Sequence, residues 1–413
     1  MTATPAQLRK IRILLKTLTL LHVGGSEGEL PPTEFAHCNG KVYVLSADRW
    51  AAWLGRQKAV EEFVNYIETQ GKYASLQSYL GQQDLLKPEF LTPLAKYTAE
   101  SASVPRTLRA FIRNGYSEPY LPGSAIKGAL RVAILYAILQ KLTPAQRDEL
   151  LAKQIEQGLE RFQAEWKNQE TRWRSRIADR ERLQRKLHGV KRGLQERTKK
   201  FFAGDLDKQL LQNFKLSDQQ REHDAHSDLF RVIEVQDGKP FERDGLQVEE
   251  IKVHSVGSGV KSFSIYAECL PPNREFTVEI TINLYLLSLF KRNNPKTAQG
   301  LAFEEIEALL LNPWQAAQKL AQALYEHERA FLPKEMNVSG ALDFAEEPDI
   351  RLGWGGGMLG TTVDLLLDEK LRQRIRNLLF KDRDGAPAPK TRRLTLQNQQ
   401  PLGWCTILSQ EVH

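Results

Sequence analysis

Five glycines surround one tryptophan in "RLGWGGGMLGTTV", Arg351 to Val363. Glycine at that density serves backbone with φ > 0 or lets another group approach the main chain closely, and a phosphate-bearing ligand is a common such group. A nucleoside triphosphate does not fit, because no Gly-Lys-Ser/Thr follows, and a dinucleotide does not fit, because no βαβ unit frames the loop. What remains is a loop whose N–H groups at Gly355, Gly356 and Gly357 face a sugar-phosphate chain. Arg351 then supplies charge and Trp354 a stacking surface for a base. The competing reading, a tight turn between strand and helix, needs one or two glycines rather than five.

A second stretch, "PYLPGSAIKGALR" from Pro119 to Arg131, places a Pro/Gly loop directly before an apolar helix. Ser124 is positioned to cap that helix, and Lys127 and Arg131, four apart, share one face. Unpaired N–H groups at a helix start attract anions, so these residues outline a phosphate clamp. An amphipathic helix with solvated bases is the plainer alternative. In "LHVGG", His22 ends a strand beside the turn Gly24-Gly25-Ser26, and His254 in "KVHSVGSGVKSF" repeats the arrangement with Lys261 close by. Either imidazole has the chemistry of a general base for an RNA 2′-hydroxyl. A cleaving site needs an acid and a base converging on one phosphate, however, and neither histidine has such a partner nearby in sequence. No catalytic residue is therefore assigned, and His22 and His254 stand as the candidates of the enzymatic alternative.

The elements that must carry these groups read as α+β. "KIRILLKTLTLLHV" alternates as a strand up to Gly24, and residues 42–45 form a short strand before a helix capped by Ser46 or Asp48. Mostly helical sequence follows to about residue 105, and the apolar helix runs from about Ser124 to Leu142. Three or four strands start near residue 226. Two helices (303–311 and 313–329), the glycine loop, a helix over 365–380, the linker "DGAPAPKTRR" and the strand "RLTLQ" complete the chain. Between Trp166 and Phe202 thirteen bases face four acids, a local net of +9 against +7 for all 413 residues. That stretch has few helix breakers, so it reads as a helical arm with a basic face or, more plainly, as a solvated helix. Three scattered cysteines give no paired metal-ligand spacing and fit a reducing compartment, so the expected location is cytoplasmic, with no metal and no cofactor. No apolar run reaches the length of a membrane span, and the N-terminus reads as a strand rather than a signal peptide.

Taken together, "LTLLHVGG", "PYLPGSAIKGALR", "DLFRVIEVQD" and "RLGWGGGMLG", in that order and spacing, resemble the signature set of the RAMP superfamily of CRISPR-associated proteins. Length and motif arrangement are most similar to the fifth, filament-capping subunit family of the type III-A (Csm) effector complexes. The resemblance implies two ferredoxin-like, RNA-recognition-motif-like domains, here over residues 1–143 and 226–413, with the basic helical insertion over 144–225. It implies a subunit that binds guide RNA (crRNA) near the guide's 3′ end, caps the backbone and helps guide maturation without itself cutting. Its partners would be crRNA and other Csm/RAMP subunits, with target RNA and recruited nucleases beyond them. The expected RNA-binding residues are His22, Gly24, Gly25, Ser26, Ser124, Lys127, Arg131, Lys261, Arg351, Trp354 and the three glycines 355–357. A metal-independent endoribonuclease acting on CRISPR repeat RNA is the alternative of a different class, and a docking scaffold that recruits nucleases through the basic arm is a third.

Overall fold

The computed structural model describes residues 7–216, 225–297, 299–379 and 385–413, with the side chains of 197–205 and 379 excepted. The strands are β1 (Leu8–Thr17), β2 (Gly24–Leu30), β3 (Phe35–Cys38), β4 (Lys41–Leu45), β5 (Ala95–Ser101), β6 (Leu108–Phe111), β7 (Ile233–Val235), β8 (Gln247–Ser255), β9 (Gly259–Cys269), β10 (Glu275–Asn283), β11 (Ile350–Arg351), β12 (Thr391–Thr395) and β13 (Trp404–Val412). Four helices, α1 (Ala47–Gln57), α2 (Val60–Gln70), α3 (Leu76–Gln82) and α4 (Pro88–Leu91), fill the stretch between β4 and β5. Then come α5 (Gly123–Lys141), α6 (Pro144–Arg147), α7 (Gln154–Arg174), α8 (Arg180–Leu210), α9 (Leu284–Asn293), α10 (Phe303–Leu311), α11 (Pro313–Met336), α12 (Gly357–Thr361) and α13 (Glu369–Leu379).

Two sheets organise the chain, in the orders β11-β13-β1-β10-β7 and β2-β6-β9-β8-β5-β4-β3, with β12 added to β8. β1 pairs along its whole length with β10, from Leu8 opposite Asn283 to Lys16 opposite Glu275. Its alternation buries Ile11, Ile13 and Leu15 on one face, as a half-buried strand requires. Those residues join Val278, Ile280 and Ile282 of β10 and Ile126, Leu130, Ile134 and Ile138 of α5 in the main core. At roughly 1.5–3 kcal/mol for each fully buried aliphatic side chain, this seam ties β1 and β10 to α5. The α1–α4 block keeps a smaller aromatic core, where Trp50 stacks on Trp53 at 5.1 Å and Phe63 and Tyr79 meet Trp50 edge-on.

The α+β reading holds, and so do α5, α10 and the Ser46 cap of α1, which accepts the Arg49 N–H. Three expectations change. The boundaries at 143 and 226 bracket the arm in the chain but do not separate two sheets, since each sheet draws strands from both sides of the arm. The physical reason is strand pairing at long range: β1 needs β10 and β13 as neighbours, and β5 and β6 need β8 and β9. Gly24-Gly25-Ser26 is not a free turn but the start of β2, with Gly24 opposite Phe111. Finally, Ser124 is exposed and does not cap α5. The cap is Pro122, and the helix start is occupied from inside, because the Gly123 N–H donates to the Asp237 carboxylate at 2.7 Å.

Gly123 is required for that contact, since a Cβ there would lie 2.2 Å from the Val235 carbonyl oxygen. Gly128, on the same helix, has open space around the equivalent position. Gly123→Ala is expected to destabilise the protein by about 2–3 kcal/mol, whereas Gly128→Ala stabilises it by about 0.5–1 kcal/mol. Denaturant unfolding of the two variants measures the contrast.

Candidate nucleic-acid interface

The two glycine-bearing motifs at opposite ends of the chain touch each other. After β1 the chain runs extended through Leu20–Val23, where Leu21 exchanges backbone hydrogen bonds with Leu270 at the end of β9. The Trp354 N–H donates to the His22 carbonyl at 2.8 Å, the Gly403 N–H to Leu20 at 2.9 Å, and the Leu352 N–H to Gly403 at 2.8 Å. Three backbones thus lie against one another. Gly353 (φ +73°) and Gly403 (φ +88°) permit it: a Cβ would stand 2.2 Å from the His22 oxygen in the first case and 2.1 Å from the Leu352 oxygen in the second. The bareness of the loop therefore serves internal close approach. Gly355 (φ +102°) turns over Leu402, Gly356 is buried at the start of α12, and Gly357 (φ +66°) alone of these three faces open space.

Several expected ligand groups are engaged within the protein. Arg351 points inward, donating to the Leu402 carbonyl at 3.0 Å and the Gly355 carbonyl at 3.2 Å, with its guanidinium 4.9 Å from the Trp404 ring centre. Burial lowers its pKa to about 10, which leaves it charged but enclosed. Lys127 donates to the Ile233 carbonyl at 2.6 Å, and burial lowers its pKa. Arg131 holds Asp207 through two bonds of 2.7 and 2.8 Å and reaches Asp228 at 3.0 Å. The pair read as an external clamp instead latches α5 to the root of α8 and to β7, because carboxylates and a carbonyl of this chain already saturate it.

Trp354 is different. Its ring packs against a small cluster that includes Ile251 of β8 and Ala267 and Cys269 of β9, edge-to-face with His22 at 5.7 Å. The Arg109 guanidinium is 5.1 Å and the Arg393 guanidinium 4.9 Å from its centre. Arg109 comes from β6, and Arg393 from β12, where strand alternation sends the preceding Arg392 inward to a buried pair with Glu328 at 2.7 Å. Among the described residues Arg109 forms one ion pair, a loose one with Glu29 at 3.9 Å, and its Nε is enclosed without a hydrogen-bond partner. Arg393 forms no ion pair among the described residues; burial and then the charge of Arg109 lower its pKa. Two guanidiniums held together on an indole, with one carboxylate in loose contact, form a group that an anion would relieve. Neither arginine was singled out from the sequence. The available signal was a base set among apolar residues in the short strand "LRAF" and a pair of adjacent bases in the short strand "TRRLT".

The histidines do not meet. His22 is buried, its Nδ1–H donating to the Glu268 carbonyl at 2.6 Å, whereas His254 lies opposite Val260. Their contacts with β9 are eight residues apart, about 26 Å along the strand, so they share no phosphate. Lys261 belongs to the His254 end, beside the hairpin turn of Gly257 and Gly259. Gly24, Gly25 and Ser26 lie at the edge strand β2, Gly25 against Ile112.

Burial first, and then the charge of Arg109, hold the His22 pKa below 6.5. The unfolded chain therefore takes up this proton before the folded one does, and stability present above 6.5 is lost as the pH falls below it. His22→Gln removes that titration, so between about pH 7 and pH 5 its Tm should fall less than that of the wild type. Equal falls would remove His22 as a contributor. A second expectation concerns the loop: Gly353→Ala costs at least about 2 kcal/mol and Gly357→Ala about 1 kcal/mol, by thermal unfolding.

Comparison with known proteins agrees with this architecture. The chain is 24% identical over 377 residues to the Streptococcus thermophilus CRISPR system Cms protein Csm5, covering 89% of this chain and 83% of the relative. Among solved structures, it resembles a chain of the cryo-EM structure of a Csm-crRNA-target RNA ternary complex in a type III-A CRISPR-Cas system. There the TM-score is 0.62 and the identity 22%, over 96% of this chain and 100% of the other. It also resembles the crystal structure of T. onnurineus Csm5 (TM-score 0.57, 21% identity, 95% and 100% covered). The RAMP superfamily pattern matches residues 14–357, well over half the chain, and with the α+β sheets described above this protein belongs to the RAMP superfamily.

Proposed function

We propose that this protein is a guide-RNA-binding subunit of a type III-A CRISPR interference complex, seated near the guide's 3′ end where it caps the backbone and supports guide maturation and assembly. The observation that carries this reading is the Arg109–Trp354–Arg393 group, set where the two glycine motifs dock. Its charge is poorly neutralised by the protein, and a phosphodiester placed there neutralises it with release of counterions. The likeness to Csm5 proteins and to a chain of a Csm-crRNA-target RNA complex supports crRNA, sister Csm subunits and target RNA as partners; a cytoplasmic setting and nucleases recruited rather than built in are part of the same proposal. Among the described residues no helix is long and apolar enough to cross a membrane and no group of three or more His, Cys, Asp or Glu is arranged to hold a metal.

Within this reading the glycine motifs shape and stiffen the face, Trp354 supports the two arginines, and Gly357 offers exposed backbone. Lys127 and Arg131 act at one remove, by fixing α5. Arg109→Gln with Arg393→Gln should weaken binding of single-stranded RNA and reduce the slope of log K against log salt by about 1.4, at about 0.7 per phosphate contact. Lys127→Gln should leave that slope unchanged. If the double variant binds with wild-type affinity and slope, the assignment of this face is wrong. Repeat RNA incubated with the protein in EDTA should stay intact, whereas discrete cleavage that disappears in His22→Ala would establish the endoribonuclease reading in its place.

A further inference from the structure

We infer that the tip of the α7–α8 hairpin is a second, sequence-independent RNA-binding surface, which holds a strand by its phosphates outside the Arg109–Arg393 face. Residues 166–193 carry ten bases and three acids, a net of +7, which equals the net charge of the whole chain. Phe162 and Leu194 are the outermost buried positions of the hairpin, and every residue from 163 to 193 is exposed or half-buried. Arg180 lies 14 residues beyond Leu194 along α8, so the tip projects about 21 Å past the last buried contact.

A half-buried seam that includes Trp166, Trp173, Leu183, Leu187 and Val190 runs along the two helices. Lys186 of α8 sits 4.4 Å over Trp173, and Lys191 sits 5.6 Å over Trp166. Those contacts occupy the indoles, so the tip offers charge without a free stacking face. Recognition there must go through phosphates and be indifferent to base.

Helix stability accounts for some of the bases and not for others. Arg172 and Arg174 end α7, where the helix dipole favours a cation, and Arg174 also pairs with Glu170 at 2.8 Å. Arg180 and Arg182 open α8, where the dipole opposes them, and Arg176 stands in the connecting turn. Arg182 and Arg185 add like charge one turn apart. None of Arg176, Arg180, Arg182 and Arg185 forms an ion pair with a described residue, and Asp179 is committed to capping the Arg182 N–H at 2.6 Å. Four bases without ion-pair partners, two of them placed against the dipole and two one turn apart, are relieved by a polyanion. That this polyanion is RNA rests on the reading of the preceding section.

The test compares the wild-type chain with two variants across a salt series, using a long oligouridylate as probe and far-UV circular dichroism to establish that each is folded. The tip variant carries Arg176→Gln, Arg180→Gln, Arg182→Gln and Arg185→Gln; the face variant carries Arg109→Gln and Arg393→Gln. The tip variant should lose about 0.7 of salt slope per contact removed, up to about 3 in all. The face variant should keep that share. A tip variant with wild-type affinity and slope overturns the inference, and it leaves the guide-binding reading standing where the face variant binds weakly. A reduced slope in the tip variant beside wild-type binding in the face variant has the opposite meaning: the tip binds RNA and the assigned face does not.

Discussion

The architecture depends on one constraint, that three lengths of main chain approach one another without side chains between them. Leu20–His22, Leu352–Trp354 and Gly403 are joined by hydrogen bonds of 2.8 to 2.9 Å, and a Cβ on Gly353 or Gly403 would stand only 2.2 or 2.1 Å from a carbonyl oxygen. This stack joins the end of β1 to the start of β13 and brings Trp354 over β8 and β9. His22 then cannot be both a wall of this stack and a solvent-facing base. Its carbonyl accepts from Trp354, its ring is shut against Phe111 and Trp354, and its Nδ1 proton is given to Glu268. Burial that secures the neutral tautomer also withdraws the ring from any scissile phosphate.

The chain's cations divide by what surrounds them. Arg131, Arg351 and Arg392 are enclosed by Asp207, by backbone carbonyls and by Glu328 respectively, and unpairing any of them would leave buried polar groups unsatisfied. Arg109, Arg393 and the tip arginines have no such closure. Net charge cannot make this division, since both classes count equally toward +7. The informative quantity is the shortage of local acceptors, and it marks two separate regions, one on the large sheet and one at the end of the hairpin.

Local patterns were legible in the sequence where local physics decides them. The apolar run of α5, the alternation of β1 and the Ser46 cap all follow from periodicity and capping chemistry within a few residues. The glycine cluster was legible as a place of close approach, but not what approaches: sequence suggested RNA, and the nearest visitor is the backbone of residue 22, more than 300 positions away. For the same reason Lys127 and Arg131 looked free, because Ile233, Asp207 and Asp228 reach them only through tertiary packing. Arg393 stands where the linker "DGAPAPKTRR" meets the strand "RLTLQ", and its role becomes visible only once β12 pairs with β8 and alternation separates it from Arg392. The side chains of Arg197, Lys199 and Lys200, counted in the basic segment, lie outside the described residues.

This long-range dependence has a consequence for when the face exists. Its four side chains come from residues 22, 109, 354 and 393, carried on segments that adjoin only after β12 has joined β8 and β13 has joined β1. Pairings of such sequence separation form late, because loop closure must precede the contacts that reward it. The hairpin arm obeys the other rule, since α7 and α8 are neighbours in sequence and meet along a local seam. Its charge is therefore presented as soon as two adjacent helices fold, whereas the arginine pair on Trp354 requires nearly the whole chain. The surface that demands most of the fold is also the one with defined geometry, while the arm supplies charge alone.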